Sequence, residues 1–359
     1  MGLRFYFGAS GAGKSTKLHE EIVRRSMEEP GTNFLVIVPD QFTMQTQMDL
    51  VKAHPNKGIM NIDVLSFGRL SHRILDEVGG DRRAVLDDTG KSLVLRRVAE
   101  NIREEMPVIG SNLRKIGYIH EVKSAISEFM QYGIGEKELG ELADYAQKRG
   151  ALYHKLKDLE ILYSSFLKYI RDKYITTEET LDLLCDMLPK SKMIRGSVIA
   201  FDGFTGFTPI QNKLIQRLML YAGEVIVTVV MDGNEDPYKQ DGEQKLFYLS
   251  KKTVADLRKL AKDVGVAFGS DVYLKEGQLP RFRGNEEMRH LERYLFRYPA
   301  RIYEKENKAL HLFETSSPGE EVRQACIRIR QLIREKHYCY RDFAIVTGNL
   351  EAYAGHVET

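Results

Sequence analysis

The period of the apolar positions changes twice within the opening segment of the chain. Residues 3–7 form a short unbroken apolar and aromatic run that stops at Gly8, the pattern of a buried strand. From Ser15 onward, Leu18, Ile22, Val23 and Met27 recur at helical spacing until Pro30 and Gly31 end the pattern. Residues 34–38 are then continuous and rich in β-branched side chains, as in a parallel strand covered on both faces. Strand, glycine loop, helix and strand predict a βαβ unit. A further strand is predicted over residues 63–67.

The pair Gly79 and Gly80 marks a boundary, and the character of the chain changes after it. Residues 87–188 carry helical patterns and no strand pattern. Ile119, Val122, Ile126, Phe129 and Met130 share one helical face, and Leu152, Leu156, Leu159, Leu162, Tyr163, Phe166 and Ile170 form a longer stripe. The simplest reading of these stripes is core. Thr176 and Glu179 have capping-box spacing ahead of Leu181, Leu183 and Leu184. Strand character returns over 197–201, ending in Asp202, and over 225–230, with a helix between them through Ile210, Leu214, Ile215, Leu218 and Met219. Residues 265–299, punctuated by Gly269, Gly277, Pro280 and Gly284, read as connecting segments. A last βαβ pattern follows: a strand at 310–313, a helix through Val322, Ala325, Ile329, Leu332 and Ile333, and a strand at 343–346. So short a stretch cannot bury a full α/β core, so the chain is expected to be the N-terminal part of something longer. No solenoid repeat or low-complexity tract is visible.

Composition adds little to this picture. The apolar fraction of 43% can build real cores, and 53 Lys plus Arg against 51 Asp plus Glu leaves a formal charge of only +2. That balance neither argues for nor excludes nucleic acid, because a local basic groove can sit on a neutral protein. Cys185, Cys326 and Cys339 are far apart and form no CxxC pair, and the histidines have no HExxH spacing. A disulfide framework or zinc site is not expected, and a reduced cytoplasmic setting is. No apolar run approaches the ~20 residues that span a bilayer, so no membrane association is expected.

The chemistry lies at the strand ends. Gly8, Ala9, Ser10, Gly11, Ala12, Gly13, Lys14 and Ser15 fit the P-loop spacing G-x4-G-K-S, with a strand before and an amphipathic helix after. The glycines allow backbone angles and a close approach that a Cβ would block, and successive N–H groups point into a concavity at a helix N-terminus. Lys14 can reach β- and γ-phosphates, Ser15 can ligate Mg²⁺, and Thr16 can bond the α-phosphate. A P-loop ATPase also needs an apolar strand ending in an Asp for Mg²⁺, usually followed by a Glu that orients the attacking water. Residues 198–201 and Asp202 supply the first two, but Gly203 stands in the place of the Glu. Binding of ATP with Mg²⁺ on Ser15 and Asp202 is expected, with slow hydrolysis or none, and no catalytic residue is assigned.

From Asp202 the chain reads D-G-F-T-G-F-T-P-I-Q, in register with the D-E-F-Q-D-T-N-P-I-Q stretch of superfamily 1 helicases of the UvrD/RecB type. Asp202, Phe204, Pro209, Ile210 and Gln211 match; Gly203, Thr205 and Gly206 depart. With the intact P-loop, residues 36–43, 64–70 and 246–248 and the stretch 340–346, the whole chain resembles the AddB family, the B subunits of bacterial AddAB helicase–nucleases. The resemblance implies an α/β fold: a RecA-like parallel sheet over 1–80 and 192–300, an inserted all-α subdomain over 81–191, and the start of a second RecA-like domain over 301–359. It implies a nuclease domain and an iron–sulfur cluster beyond residue 359. By resemblance the function is processing of double-strand DNA ends for recombinational repair, as a heterodimer with an AddA-type subunit. The B subunit would be an inactivated motor that follows the single-stranded 3′ tail and scans it for Chi.

Candidate DNA contacts are Gln41, Phe42, Ser66, Phe67 and Arg69, at strand ends where such helicases meet single-stranded DNA; the aromatics could stack a base or simply pack. Arg24, Arg25, the run Asp81, Arg82 and Arg83, and Arg281, Arg283, Arg289, Arg293 and Arg297 could line a basic groove or a solvated face. The competing reading is an autonomous P-loop NTPase or small-molecule kinase with the helical block as its lid.

Overall fold

The computed structural model describes residues 2–79, 83–233, 235–274 and 279–358, with the side chains of Ile116 and Glu351 excepted. Gly80, Asp81, Arg82 and Gly277, used in the sequence reading, lie outside the described residues. The chain divides into two compact units, residues 1–283 and 284–359.

The first unit is built on a seven-stranded sheet. Its strands are β1 (Gly2–Gly8), β2 (Phe34–Ile37), β3 (Ile62–Leu65), β6 (Val198–Phe201), β7 (Glu224–Val230), β8 (Ala267–Phe268) and β9 (Val272–Leu274). The order is β3-β2-β6-β7-β1-β8, with β9 also pairing β1, and every pairing is parallel. Parallel strands need crossover helices, and these cover both faces. On one face α1 (Lys14–Glu28) and α2 (Thr43–Ala53) press Leu18, Ile22, Val23 and Leu50 against Tyr6, Phe34, Val36 and Ala200. On the other, α3 (Phe67–Val78), α8 (Thr177–Met187), α9 (Pro209–Tyr221) and α10 (Tyr248–Asp263) meet Phe5, Phe7, Ile37, Ile199 and Phe201. Adjacent residues of a strand point to opposite faces, so burial on both explains the unbroken apolar runs. The fold is a RecA-like α/β fold, as the sequence implied.

The helical block packs α4 (Asp88–Asn101), α5 (Ile116–Tyr132), α6 (Glu136–Tyr145) and α7 (Gly150–Ile170) around its own core, which includes Leu95, Ile126, Leu139, Leu162 and Phe166. It is not wholly helical. β4 (Ala84–Leu86) and β5 (Tyr174–Thr176) form a two-stranded parallel ribbon that no periodicity announced, three residues being too few to alternate legibly. Thr176 then caps α8 as its spacing predicted, accepting from Glu179 N at 3.2 Å while Glu179 Oε2 accepts from Thr176 N at 3.0 Å. A buried ion pair, Lys91 Nζ to Glu178 Oε2 at 2.7 Å, ties α4 to α8.

Two strand expectations fail in informative ways. The stretch read as connecting segments contains β8 and β9, recruited by the free edge of β1 rather than by any strand-like pattern of their own. In the second unit α12 (Pro318–Lys336) forms as predicted, between α11 (Glu286–Tyr294) and α13 (Leu350–Glu358), but residues 310–313 and 343–346 form no strand. Leu312 and Val346 are 99% and 92% exposed. A β ladder needs a paired neighbour and a covered face, and one helix cannot supply both. Among the described residues, no helix is long and apolar enough to cross a membrane.

Candidate functional site

β1 delivers the chain into the P-loop, and α1 starts on its last residues. Gly11 has φ +77° and Gly13, the N-cap of α1, has φ +89°, both in the left-handed region that a side chain disfavours. At Gly11 space is also short: a Cβ would lie 3.0 Å from Phe282 Cε2 and 3.1 Å from Arg281 Cβ. The loop closes through Ala12 N donating to Ala9 O at 3.2 Å, with Ala9 and Ala12 buried beneath it. Lys14 Nζ folds back to donate to the Gly8 and Ala9 carbonyls, each at 3.0 Å.

Ser10, Gly11, Gly13, Lys14, Ser15 and Thr16 line one side of a cavity of about 490 Å³. Asp202, Gly203, Thr228 and Arg281 line the rest of it, with Phe42, Phe204 and Pro280 also at its wall. The two residues expected to hold Mg²⁺, Ser15 and Asp202, therefore face one space although 187 positions separate them in sequence (202 − 15). β7 lies between their strands, and it carries Thr228. The Thr228 hydroxyl donates to Asp202 Oδ1 at 2.6 Å and accepts from Gly203 N at 3.3 Å, fixing the carboxylate and the next peptide together. On the other side His19 Nε2 stands 3.7 Å from Asp202 Oδ2, buried and without a hydrogen-bond partner. Burial pushes the His19 imidazole below its ordinary pKa, and the Asp202 carboxylate opposes this.

Gly203 decides what this cavity can do. Its φ is +79°, so the residue after Asp202 is in the left-handed region. A Glu there would be strained before its carboxylate could reach any water. Among the described residues Asp202 is the one carboxylate lining the cavity. The donors, the glycine cradle and the single fixed carboxylate fit a nucleoside triphosphate with its Mg²⁺.

A second cavity, about 430 Å³, opens where β2 and β3 end, against the helical block. It gathers Gln41, Ser66 and Phe67 from the expected DNA contacts, with Pro39, His72 and Gln211 beside them. Phe42 and Arg69 are not in its wall. Phe42 is half exposed at the nucleotide cavity instead, because the turn over residues 40–42 directs it toward α1. Phe67 is 9% exposed and packs with Phe201, Phe204 and Phe207 at centroid distances of 5.9, 5.5 and 6.5 Å, which favours the packing reading of its ring over base stacking. Ser66 is the N-cap of α3, accepting from Arg69 N at 3.4 Å. Gln211 closes a capping box with Thr208. Of the expected basic groove, Arg24 and Arg25 are held by Glu28, Glu29 and Glu224, and Arg281 alone reaches the nucleotide cavity.

Sequence reading missed Thr228, His19 and Phe282. A lone threonine inside the apolar run 225–230 was the available signal for the first; the other two act only through tertiary contact.

With this geometry in hand, residues 5–292 match the family model described as ADDB, N-terminal. The chain belongs to that family. Its AddB relatives include three proteins, each named as the B subunit of an ATP-dependent helicase/deoxyribonuclease. That of Lachnoclostridium phytofermentans is 42% identical over 356 residues, 98% of this chain and 31% of the relative. That of Thermoanaerobacter sp. strain X514 is 33% identical over 359 residues, 100% of this chain and 31% of the relative. That of Caldanaerobacter subterraneus subsp. tengcongensis is 34% identical over 353 residues, 98% and 30% respectively. The chain thus spans under a third of the length of these relatives.

Proposed function

We propose that this region is the helicase-like part of an AddB-type subunit, holding Mg·ATP at the P-loop with little hydrolysis while a DNA strand engages the neighbouring groove. The observation that carries the reading is the convergence of Lys14, Ser15 and a Thr228-fixed Asp202 on one cavity whose next backbone position, Gly203, disfavours a Glu. Lys14 would exchange its two loop carbonyls for phosphate oxygens, and the loop N–H groups would hold the β-phosphate. Ser15 and Asp202 would hold Mg²⁺, which supplies charge neutralisation between the β- and γ-phosphates. Arg281, packed beside Gly11 of the P-loop, would add a positive charge to the same cavity. The position next to Asp202, where a Glu usually orients the attacking water, holds Gly203, a loss that commonly costs ~10²–10⁴ in rate. The relatives' name supports DNA as the polymer and the presence of a partner subunit; an AddA-type partner acting as the working motor and the 3′-ending strand are the finer reading. A small-molecule kinase would need a carboxylate base at the phosphate end, whereas on this reading Asp202 would be taken up by the metal.

The test is equilibrium binding of a fluorescent ATP analogue with Mg²⁺ to the intact subunit. Lys14→Ala is expected to abolish binding without lowering Tm; equal affinity in the variant would sink the assignment.

A further inference from the structure

Away from both cavities, three arginines of the helical block converge on one concavity. Arg96 lies on α4, Arg103 in the turn after it and Arg114 near the end of the loop that leads to α5; with Ala99, Gly110 and Leu113 they line a cavity of about 250 Å³. The loop is folded tightly enough to bring them together. A Cβ at Gly110 would lie 2.6 Å from both the Arg103 and Met106 carbonyl oxygens, so only glycine lets the chain recross itself here. Arg96 Nη2 donates to the Arg114 carbonyl at 3.3 Å, which fixes the third arginine beside the first.

Among the described residues, none of the three guanidinium groups has a carboxylate within 4.0 Å, and Glu100, the one acid in the wall, is equally unpaired. Some other cations of the block are paired, Lys91 with Glu178, Lys123 with Asp88 and Lys157 with Glu160. Three like charges around one concavity repel, and an anion between them relieves that repulsion. The guanidinium fork matches a phosphate group in two parallel hydrogen bonds. The floor, buried Ala99, Gly110 and Leu113, offers no aromatic ring to stack a base, so the pocket is suited to a phosphate and not to a whole nucleotide.

We propose that this arginine pocket holds a phosphate group of the DNA backbone, adding affinity that is independent of base sequence. The proposal rests on the reading that this region binds DNA. A free phosphate shares the chemistry, and the two sources separate experimentally. The intact subunit and its Arg103→Gln/Arg114→Gln variant are compared by fluorescence anisotropy with a labelled duplex bearing a single-stranded tail, over a salt series. The variant, altered only at exposed positions, is expected to keep its Tm. Its slope of log K against log salt should fall by about 0.7–0.9 for the one phosphate no longer neutralised. The loss should be the same for unrelated sequences, and Arg103→Lys/Arg114→Lys should restore the slope. In a second arm, inorganic phosphate is titrated without DNA. An unchanged slope overturns the proposal, and a phosphate-dependent rise in Tm seen only in the unaltered subunit would then reassign the pocket to free phosphate. If the unaltered subunit binds no DNA at low salt, the functional reading itself fails and takes the DNA source with it; the phosphate arm still decides whether an oxyanion site exists.

Discussion

Placing an acid after Asp202, as Gly203→Glu, separates two explanations for the slow hydrolysis proposed for this site. If only a carboxylate is lacking, the variant should regain hydrolysis by roughly 10²-fold or more. The structure says otherwise, because Gly203 has φ +79°. Space is not the obstacle: a Cβ there meets only Pro39 Cδ, at 3.7 Å. The obstacle is the backbone, where a side chain costs about 1–2 kcal/mol in the left-handed region. Relaxing to negative φ would instead turn the Gly203 N–H away from Thr228 Oγ1, the same hydroxyl that fixes Asp202. Either route costs stability, and the second also loosens the carboxylate assigned to the metal. At about 2–4 °C per kcal/mol for a unit of this size, Tm should drop by roughly 2–8 °C. Gly203→Ala should show the same drop without introducing an acid. The assays are thermal denaturation and ATP turnover with and without DNA, on the intact subunit. Gly203→Glu with an unchanged Tm and DNA-stimulated turnover raised a hundredfold would refute the backbone argument.

Three further outcomes follow from the same contacts. Thr228→Val removes a buried hydroxyl that bridges Gly203 N and Asp202 Oδ1, and should cost about 1–3 kcal/mol while weakening the Mg²⁺ dependence of nucleotide binding; a denaturant titration with and without Mg²⁺ measures both. Glu21 is partly buried, which works to raise its pKa, yet hydrogen bonds from Arg4 and Tyr6 and the nearby Arg25 hold it below the ordinary value of 4.5. Because the folded value is depressed, its stabilisation is present above pH 4.5 and lost as pH falls through the folded value; Tm should therefore decline below about pH 4.5, and Glu21→Gln should be less stable at neutral pH with a flatter acid limb. Phe67→Ala should destabilise by about 3–5 kcal/mol, seen as a lowered unfolding midpoint, whereas Gln41→Ala, at an exposed position of the groove, should leave stability within about 0.5 kcal/mol and change only DNA affinity.

Legibility from the sequence followed locality. The P-loop was readable because its strand, glycines and helix are contiguous, and the central strands because burial on both faces leaves runs such as Val198–Phe201 without a polar break. β8 and β9 were not, because their identity lies in the β1 edge that pairs them and not in their own residues. The same reasoning explains the opposite error at residues 310–313, where apolar character without a partner strand leaves Leu312 exposed. At the site, sequence picked out Ser15 and Asp202, which line one cavity, but left the aromatics open between stacking and packing, since Phe42 and Phe67 look alike in a string. Only the turn after β2 sends one to the nucleotide cavity, and only the Phe201, Phe204 and Phe207 cluster buries the other.

That cluster bears on how the two cavities relate. Phe204 lines both of them, half-buried, and follows directly on Gly203 and the fixed Asp202. Its ring contacts Phe67, which opens α3 beside the groove, at a centroid distance of 5.5 Å. A motor subunit spends hydrolysis at such a junction to change the groove; a site that keeps its nucleotide has no such cycle. Under the proposed function, the γ-phosphate and its metal would hold Asp202, Gly203 and Phe204 in one arrangement, and so hold the groove wall in one shape. On the same proposal, a strand moved by a partner subunit and inspected by this one would be better served by a wall that stays still. Bound and unhydrolysed nucleotide would then have a physical use: it would fix a reading surface through Gly203, which stands where the catalytic Glu usually does, and Phe204 after it.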